Sequence, residues 1–459
     1  MSALAFLDRD RIVAPLGYSR WLIPPAALSI HLCIGQVYAF SVFNLPLSKL
    51  IGITRSTPAD WKLTELGWIF SVAIFVLGAS AAVLGRWVEE GGPRQAMFAA
   101  ALCFGSGFLV SALGVHLHNI WIVYFGYGVL GGIGLGLGYI SPVSTLIKWF
   151  PDRPGMATGM AIMGFGGGAL IASPLSVWLM SQFTTPTHIG VAETFVCLGL
   201  IYLCFMMVGA WIVRIPAPDW RPEGYVAPAL SKPLVTNRDV YVYQALKTPQ
   251  FWLIWWVLCL NVTAGIGVLG QASAMSQEMF PGRVTPIAAA GFVGLMSIFN
   301  MAGRFFWAST SDLIGRKNTY FVFFVLGMLL YAAVPTTGRI GSVALFVLCF
   351  LVIISMYGGG FATVPAYLRD MFGTRYVGAI HGMLITAWSM AGIFGPVIVN
   401  YMRQYQIERG IPKAQAYNVT MYVMAALLLA GFFCNLFITA VHERHHMEQE
   451  PGDAIGVAD

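Results

Sequence analysis

The sequence predicts an all-α integral membrane protein, with twelve transmembrane helices arranged as two six-helix bundles. Three observations carry that prediction. The 459 residues are 58% hydrophobic and only 10% charged, whereas soluble domains carry about 25% charged residues. Twelve apolar runs of about 19–25 residues are each long enough to cross a hydrocarbon core of about 30 Å as a helix. Short motifs recur between the two halves at an offset of 222 or 223 residues.

The runs fall near 20–44, 62–84, 95–116, 119–145, 156–182, 192–214, 250–274, 285–310, 318–336, 340–367, 376–402 and 417–441. A transmembrane barrel would instead show segments of roughly ten residues with alternating hydrophobicity, and none is seen. The first run is too long for a cleaved signal peptide and lacks a small-residue cleavage end. Seven cysteines lie inside the runs without a CxxC pair. They read as small apolar core residues, not as a disulfide framework or metal ligands. No metal and no cofactor is expected.

Orientation follows from the basic residues of the loops. With the N-terminus inside, 17 of the 26 Lys and Arg face the cytoplasm and eight face out. Both termini are therefore expected inside, in a multi-pass cell (inner) membrane protein whose constant partner is the lipid bilayer. The net charge of +6 is accounted for by this asymmetry and calls for no nucleic-acid partner. One basic residue belongs to neither face, and it is Arg304.

The segment 215–249, "IPAPDWRPEGYVAPALSKPLVTNRDVYVYQALKTP", has five prolines before its final TP pair and no long apolar run. It reads as a cytoplasmic linker. It divides the chain into an N-terminal half, 1–214, and a C-terminal half, 250–442, followed by a tail, 443–459. "GRWVEEGGPR" (85–94) follows the second helix and "ASTSDLIGRK" (308–317) the eighth. Glu89 with Gly92 aligns with Asp312 and Gly315. Phe150 and Phe372 are 222 apart, as are Pro174 and Pro396. Six-helix halves in parallel repeat place a substrate site near the midplane between them.

The "D-x-x-G-R-K" at 312–317, its weaker copy at 85–94 and the twelve-helix layout resemble the major facilitator superfamily. The copy departs in having Glu89 for Asp and Pro93 before Arg94. Physically, such a loop needs an acid to hold a helix end and basic neighbours in one conformational state, and a glycine for the tight turn. The gating residues are thus expected to be Glu89, Arg94, Asp312, Gly315, Arg316 and Lys317.

Arg304 sits in "SIFNMAGRFFW" (297–307), about 12 Å inside the helix end marked by Asp312. Charges at that depth are rare and face a cavity. Arginine does not lose its proton. No Asp or Glu lies within the core of any run, so an anion from solution is the simplest partner for a guanidinium fork. Asn300, one turn earlier, is placed to orient it. The competing reading is an arginine bonded to the backbone carbonyls of a broken helix. Gln36 and Tyr38 in helix one, Tyr139 in helix four and Tyr357 in helix ten are further candidates for the same cavity. They lie in apolar helices beside Gly- or Pro-rich breaks. His31 reads as a packed core histidine and His381 as the start of helix eleven, with a proton relay as the sharper reading of each. The glycine runs at 126–138 and 164–174 follow no strand. They read as close helix packing and not as nucleotide loops.

Within the superfamily the chain resembles the oxalate/formate antiporter family, which includes bacterial monocarboxylate transporters. The resemblance rests on "VYAFSVF" in helix one, "GLGYISPVSTLIKWFPDRPGMATGMAIMGFGGGALI" across helices four and five, and Asn300-x-x-x-Arg304 in helix eight. It runs along nearly the whole chain. It implies that Arg304 binds a carboxylate with Tyr38, Tyr139 and Tyr357 packed around it. Oxalate carriers of the family use a second cation, a lysine in helix eleven. "GMLITAWSMAGIFGP" (382–396) has none, and Trp388 is its nearest equivalent by spacing. One cation balances one carboxylate. A dianion would leave a charge unpaired at a cost of several kcal/mol. The expected function is therefore alternating-access transport of a monocarboxylate of the lactate, pyruvate or formate type, by proton symport or anion exchange, in a monomer. Oxalate/formate exchange is the alternative, and a non-transporting carboxylate sensor a further one. No HExxH, GxSxG or paired intramembrane carboxylate points to an enzyme.

Overall fold

A computed structural model describes residues 5–15, 17–218, 220–225, 234–236, 238–269 and 271–447. Twelve long helices dominate. In chain order they are α1 (Arg20–Leu47), α2 (Leu63–Gly91), α3 (Pro93–His116), α4 (Ile120–Trp149), α5 (Pro154–Phe183), α6 (Val191–Ile212), α7 (Pro249–Leu269), α8 (Pro286–Ile314), α9 (Arg316–Ile340), α10 (Val343–Phe372), α11 (Val377–Glu408) and α12 (Asn418–Leu436). Among the described residues, eleven are long and apolar enough to span a membrane. The twelfth, α8, is 29 residues long and carries Asn300, Arg304 and Asp312 within it. Several helices outrun the apolar stretches. The 30 residues of α5 or α10 reach about 45 Å, enough for the core and both headgroup layers.

The repeat is visible in the backbone. α2 turns into α3 on Gly92 and α8 into α9 on Gly315, each with φ of +87°. An L side chain is strained there, so the glycine of each motif is required by the turn itself. Three helices depart from α geometry next to candidate residues. α1 tightens to 3₁₀ over Gly35–Phe43, the segment holding Gln36 and Tyr38. α4 widens to a π-helical stretch at Tyr124–Gly131. α11 is interrupted at Ile385, between Val377–Leu384 and Thr386–Glu408. Such breaks are tolerated at membrane depth only where protein or a cavity surrounds them.

The halves meet along two seams, α5 against α8 and α2 against α11. In the first, a Cβ on Gly159 would lie 3.0 Å from the Arg304 carbonyl, and one on Gly166 3.0 Å from its Nε. In the second, a Cβ on Gly85 would lie 2.9 Å from the Ala379 backbone, and the Ser389 hydroxyl donates to the Ile74 carbonyl at 3.0 Å. Both seams part toward the end away from Glu89 and Asp312. Gly294 shares a helix face with Met301 and Ala308, seven and fourteen residues on, and Gly67 shares one with Ile74 and Ala81. Yet neither has any atom within 4 Å of a Cβ placed on it. The molecule is closed at the Glu89/Asp312 end and parted at the other.

The linker expected over 215–249 packs on the closed end where it is described. Thr236 N donates to Asp370 O, Val240 N to Phe372 O, and the Asp239 carboxylate accepts from Thr374 N and Arg375 N. A short helix, Val242–Ala245, leads into α7. Residues 219, 226–233 and 237 of that segment, and 448–459 of the tail, lie outside the described residues.

Candidate functional site

Arg304 is 1% exposed. Its Nε donates to Asn300 Oδ1 at 3.1 Å, one turn back on α8, as the i,i+4 spacing requires. Nη1 reaches the Ile162 carbonyl of α5 at 3.4 Å, a long contact. Nη2 has no partner. No carboxylate pairs with the guanidinium among the described ion pairs. The broken-helix reading of Arg304 is therefore met by one weak carbonyl contact only, and a donor is left over in a buried site. An unpaired buried charge costs several kcal/mol unless something satisfies it.

The surroundings are aromatic. Phe165 of α5 and Phe361 of α10 present their rings to the guanidinium, with centroids 5.8 and 5.4 Å from Cζ. Neither was among the residues the sequence singled out. Only their spacing beside Gly164 and Gly166, and four residues after Tyr357, marks them. Both rings also meet Trp388 of α11, at 5.5 and 4.8 Å. Trp388 lies 6.4 Å from the Tyr38 ring and 5.6 Å from Tyr139. Tyr357 touches Phe361 at 5.3 Å. Residues from α1, α4, α5, α8, α10 and α11 thus form one cluster across both seams.

The cluster has more hydrogen-bonding groups than partners. The hydroxyls of Tyr38, Tyr139 and Tyr357, Trp388 Nε1, both nitrogens of His381 and Arg304 Nη2 are all buried and make no hydrogen bond of ordinary length, although the Tyr38 hydroxyl faces both Arg304 and Tyr357. Natural proteins leave few such groups, and each calls for an explanation. Here they converge on one place, and all but the tyrosine and histidine atoms can only donate. The set is complementary to a small ligand rich in acceptor oxygens.

Gln36 stands apart from this cluster. Its Oε1 accepts from Tyr127 Oη at 2.9 Å, inside the N-terminal half, although its Nε2 is also unbonded. Tyr38, two residues on, points about 120° away from it around the 3₁₀ segment, which turns about 120° per residue.

At the closed end, the acid of each motif caps a helix of the other half. Asp312 accepts from Gly155 N at 2.9 Å and Met156 N at 2.8 Å, the start of α5. Glu89 accepts from Gly378 N at 2.8 Å, the start of α11. Helix N-termini carry unsatisfied N–H groups and a positive dipole end, so a carboxylate is the matching partner. Arg316 steadies Asp312 at 2.6 Å and reaches Asp370 at 3.1 Å. Gly315 makes the turn. Lys317 Nζ closes the end of α12, donating to Leu436 O at 2.9 Å and Ile438 O at 2.7 Å. Arg94 differs from expectation. It does not pair with Glu89 but donates to the carbonyls of Phe6, Trp211 and Val213. Pro93, standing where the other copy has Arg316, has no guanidinium to offer, so Lys148 of α4 supplies the cation beside Glu89.

Comparison with known proteins agrees with this architecture. The chain is 27% identical over 379 residues to the oxalate:formate antiporter of Oxalobacter formigenes, covering 82% of this chain and 83% of that one. It is 26% identical to apicoplast pyruvate carrier 1 of Toxoplasma gondii, over 92% and 89% of the two chains. It is 24% identical to human monocarboxylate transporter 11, over 91% and 83%. Among solved structures, the Escherichia coli fucose:proton symporter superposes with a TM-score of 0.65 at 13% identity, covering 92% of this chain and 99% of that one. A bacterial homologue of ferroportin in an outward-facing state gives 0.64 at 15% identity, over 90% and 98%. The Major Facilitator Superfamily pattern matches residues 19–396. This chain, a multi-pass membrane transporter and not an enzyme, belongs to that superfamily.

Proposed function

We propose that the protein carries small monocarboxylates, of the lactate, pyruvate or formate type, across the cell (inner) membrane by alternating access. The observation that carries this reading is the unpaired Arg304 guanidinium, held by Asn300 and surrounded by unbonded donors of Tyr38, Tyr357, Tyr139 and Trp388. One permanent cation in a low-dielectric site favours one negative charge. Asn300 fixes Nε and leaves the outer edge of the fork for the carboxylate, the two-point geometry arginine suits. Phe165, Phe361 and Trp388 give an apolar wall for a short carbon chain. With both termini cytoplasmic, the closed end is the inner one and the parted end opens outward. Glu89 and Asp312 hold that state, and a monomer suffices for it.

Oxalate:formate exchange is the second reading, favoured by the identity to the Oxalobacter formigenes antiporter and opposed by Trp388 where a second cation would be needed. The test is uptake of labelled lactate, pyruvate, formate, acetate and oxalate into proteoliposomes. Saturable uptake of a monocarboxylate, lost in Arg304→Ala, is the expected result. Saturable oxalate exchange would transfer the assignment to the second reading. Ligand binding without any flux would leave a carboxylate sensor instead.

A further inference from the structure

His31 of α1 is fully buried one ring layer behind Arg304. Its Nδ1 lies 2.5 Å from the Ala161 carbonyl oxygen of α5, and its Nε2 lies 3.2 Å from the Tyr139 carbonyl oxygen of α4. The Gly138 carbonyl also faces the ring, without forming a hydrogen bond of ordinary length to it. Every polar partner is therefore an acceptor. A neutral imidazole has one N–H and one lone pair, whichever tautomer it adopts. It can satisfy one of these carbonyls, and its lone pair then faces another. An imidazolium donates from both nitrogens. The sequence supplies the extra acceptor. Pro142 lies inside α4 and has no N–H, so the carbonyl four residues back, that of Gly138, lacks its helical donor.

We infer that His31 is the proton-binding site of the transporter, protonated as imidazolium when the carboxylate occupies Arg304. The inference rests on the anion reading of Arg304. The step is a proton passing from solvent hydronium to the free imidazole nitrogen: one O–H bond breaks, one N–H bond forms, and water is left.

The groups facing His31 set the coupling. α5 presents Ala161 and the Phe165 ring, and α6 packs on α1 through Gly209. Neither brings a charge. α4 presents the Tyr139 ring, stacked at 5.6 Å. From the other half come Arg304, beyond Phe165, and His381, whose ring meets the far side of the Tyr139 cluster at 5.7 Å. No carboxylate is among them. With the anion site empty, Arg304 and an imidazolium would be two cations in one dry compartment. A bound carboxylate cancels the first charge and so makes room for the second. Anion and proton stabilise each other, and the effect is reciprocal by linkage. His381, with neither nitrogen bonded, has no acceptors built around it and is not the proton site.

The test uses native protein, His31→Gln and His381→Gln in proteoliposomes, with labelled lactate. Glutamine can donate to the carbonyls but takes no proton. The expected result is that His31→Gln loses accumulation driven by an inward pH gradient by tenfold or more, while lactate exchange at equal pH falls less than threefold. His381→Gln, whatever it costs in overall rate as a member of the binding cluster, should keep the native ratio of gradient-driven to equal-pH uptake. Gradient-driven accumulation surviving in His31→Gln overturns the inference. So does native protein that exchanges lactate without any response to the gradient, a result that leaves the monocarboxylate reading intact. Native protein moving none of the acids removes both. A second measurement needs no variant. In native protein labelled with ¹⁵N-histidine, saturating lactate should convert one buried imidazole to imidazolium, and absence of that change overturns the inference.

Discussion

Asn300 and Arg304 form a single unit, with Nε of the guanidinium donating to Oδ1 of the amide at 3.1 Å and Nη2 left unbonded. Asn300 is thus a positioning residue for the fork. Asn300→Ala should keep the charge but let the guanidinium tilt, raising KM for the carboxylate about tenfold, the scale of one lost hydrogen bond to a charged group. Asn300→Asp should be worse than alanine, because it supplies Arg304 with a permanent counter-ion. Arg304→Lys should lose about a hundredfold or more in kcat/KM, since a point charge does not replace a two-point fork. Initial rates of labelled uptake across substrate concentration check all three. Asn300→Asp matching native KM would refute the account of Asn300.

Trp388 meets Phe165, Phe361, Tyr38 and Tyr139 and leaves Nε1 free. Trp388→Lys places a second cation across from Arg304. It should reduce monocarboxylate uptake and introduce or raise oxalate uptake about tenfold, one charge pair being worth at least 1.4 kcal/mol in such a site. Trp388→Phe should keep selectivity and weaken binding modestly through the lost N–H. Competition of each acid against labelled substrate measures both.

Much of this was legible before any coordinates. The twelve helices, the repeat and the depth of Arg304 follow from apolar run length and a charge with no face to occupy. Asn300 followed from the i,i+4 rule. What the sequence does not display is direction around irregular backbone. Gln36 and Tyr38 look equivalent in "GQVYAFSVF", but residues two apart on a helix face different neighbours, and one meets Tyr127 while the other meets Phe165 and Trp388. Phe165 and Phe361 were hidden because a phenylalanine in an apolar helix carries no local mark of facing a cation. Arg94 fits the gating motif by spacing, yet local carbonyls at the end of α6 compete for it. Lys148 lies outside both motif copies, so nothing local in the sequence marks it as the partner of Glu89.

Glu278 ties the parted end of the C-terminal half together. It accepts from Arg403 Nε at 2.9 Å and from Tyr417 Oη at 2.8 Å. Burial alone would raise its carboxyl, but Arg403 and Tyr417 outweigh it and hold it below the usual carboxylate range. A depressed carboxyl adds stability that is present above the unfolded value, about 4.3, and lost as pH falls through the folded one. Thermal unfolding in detergent should therefore drop more steeply below about pH 4 in native protein than in Glu278→Gln, and the two should differ most near neutrality. Parallel curves would remove this contribution.

A Cβ on Gly166 would fall 3.0 Å from Arg304 Nε, 3.2 Å from its Cδ and 3.3 Å from the Met301 Cα. Gly166→Ala must push the side chain by a few tenths of an ångström, and Gly166→Val by more. Fold should survive alanine, because the two nearest atoms belong to a flexible side chain and the Met301 Cα at 3.3 Å needs to give by only a few tenths of an ångström. Transport should not. We expect a fall of about tenfold for alanine, the scale of one lost hydrogen bond to a charged group, and loss of measurable uptake for valine, with thermal stability within a few degrees of native.

Asp312 and Glu89 close the same end of the molecule with unequal strength. Asp312 takes two backbone N–H groups of α5 and is steadied by Arg316, whereas Glu89 takes one from α11 and is steadied by Lys148. A charge-assisted hydrogen bond contributes about 1.5–3 kcal/mol, so Asp312→Asn should release more closure energy than Glu89→Gln. If the two states differ by a few kcal/mol, the amide variants shift the population toward opening at this end by roughly ten- to a hundred-and-fiftyfold. The shift should be larger at Asp312, and double electron–electron resonance between labels on α5 and α8 near Gly155 and Asp312 would read it directly. Arg94→Gln should not move that distance, because its bonds run to Phe6, Trp211 and Val213 within the N-terminal half. A larger opening for Glu89→Gln than for Asp312→Asn would show that the seams do not share the load as their hydrogen bonds imply, and an opening caused by Arg94→Gln would return that residue to the gate.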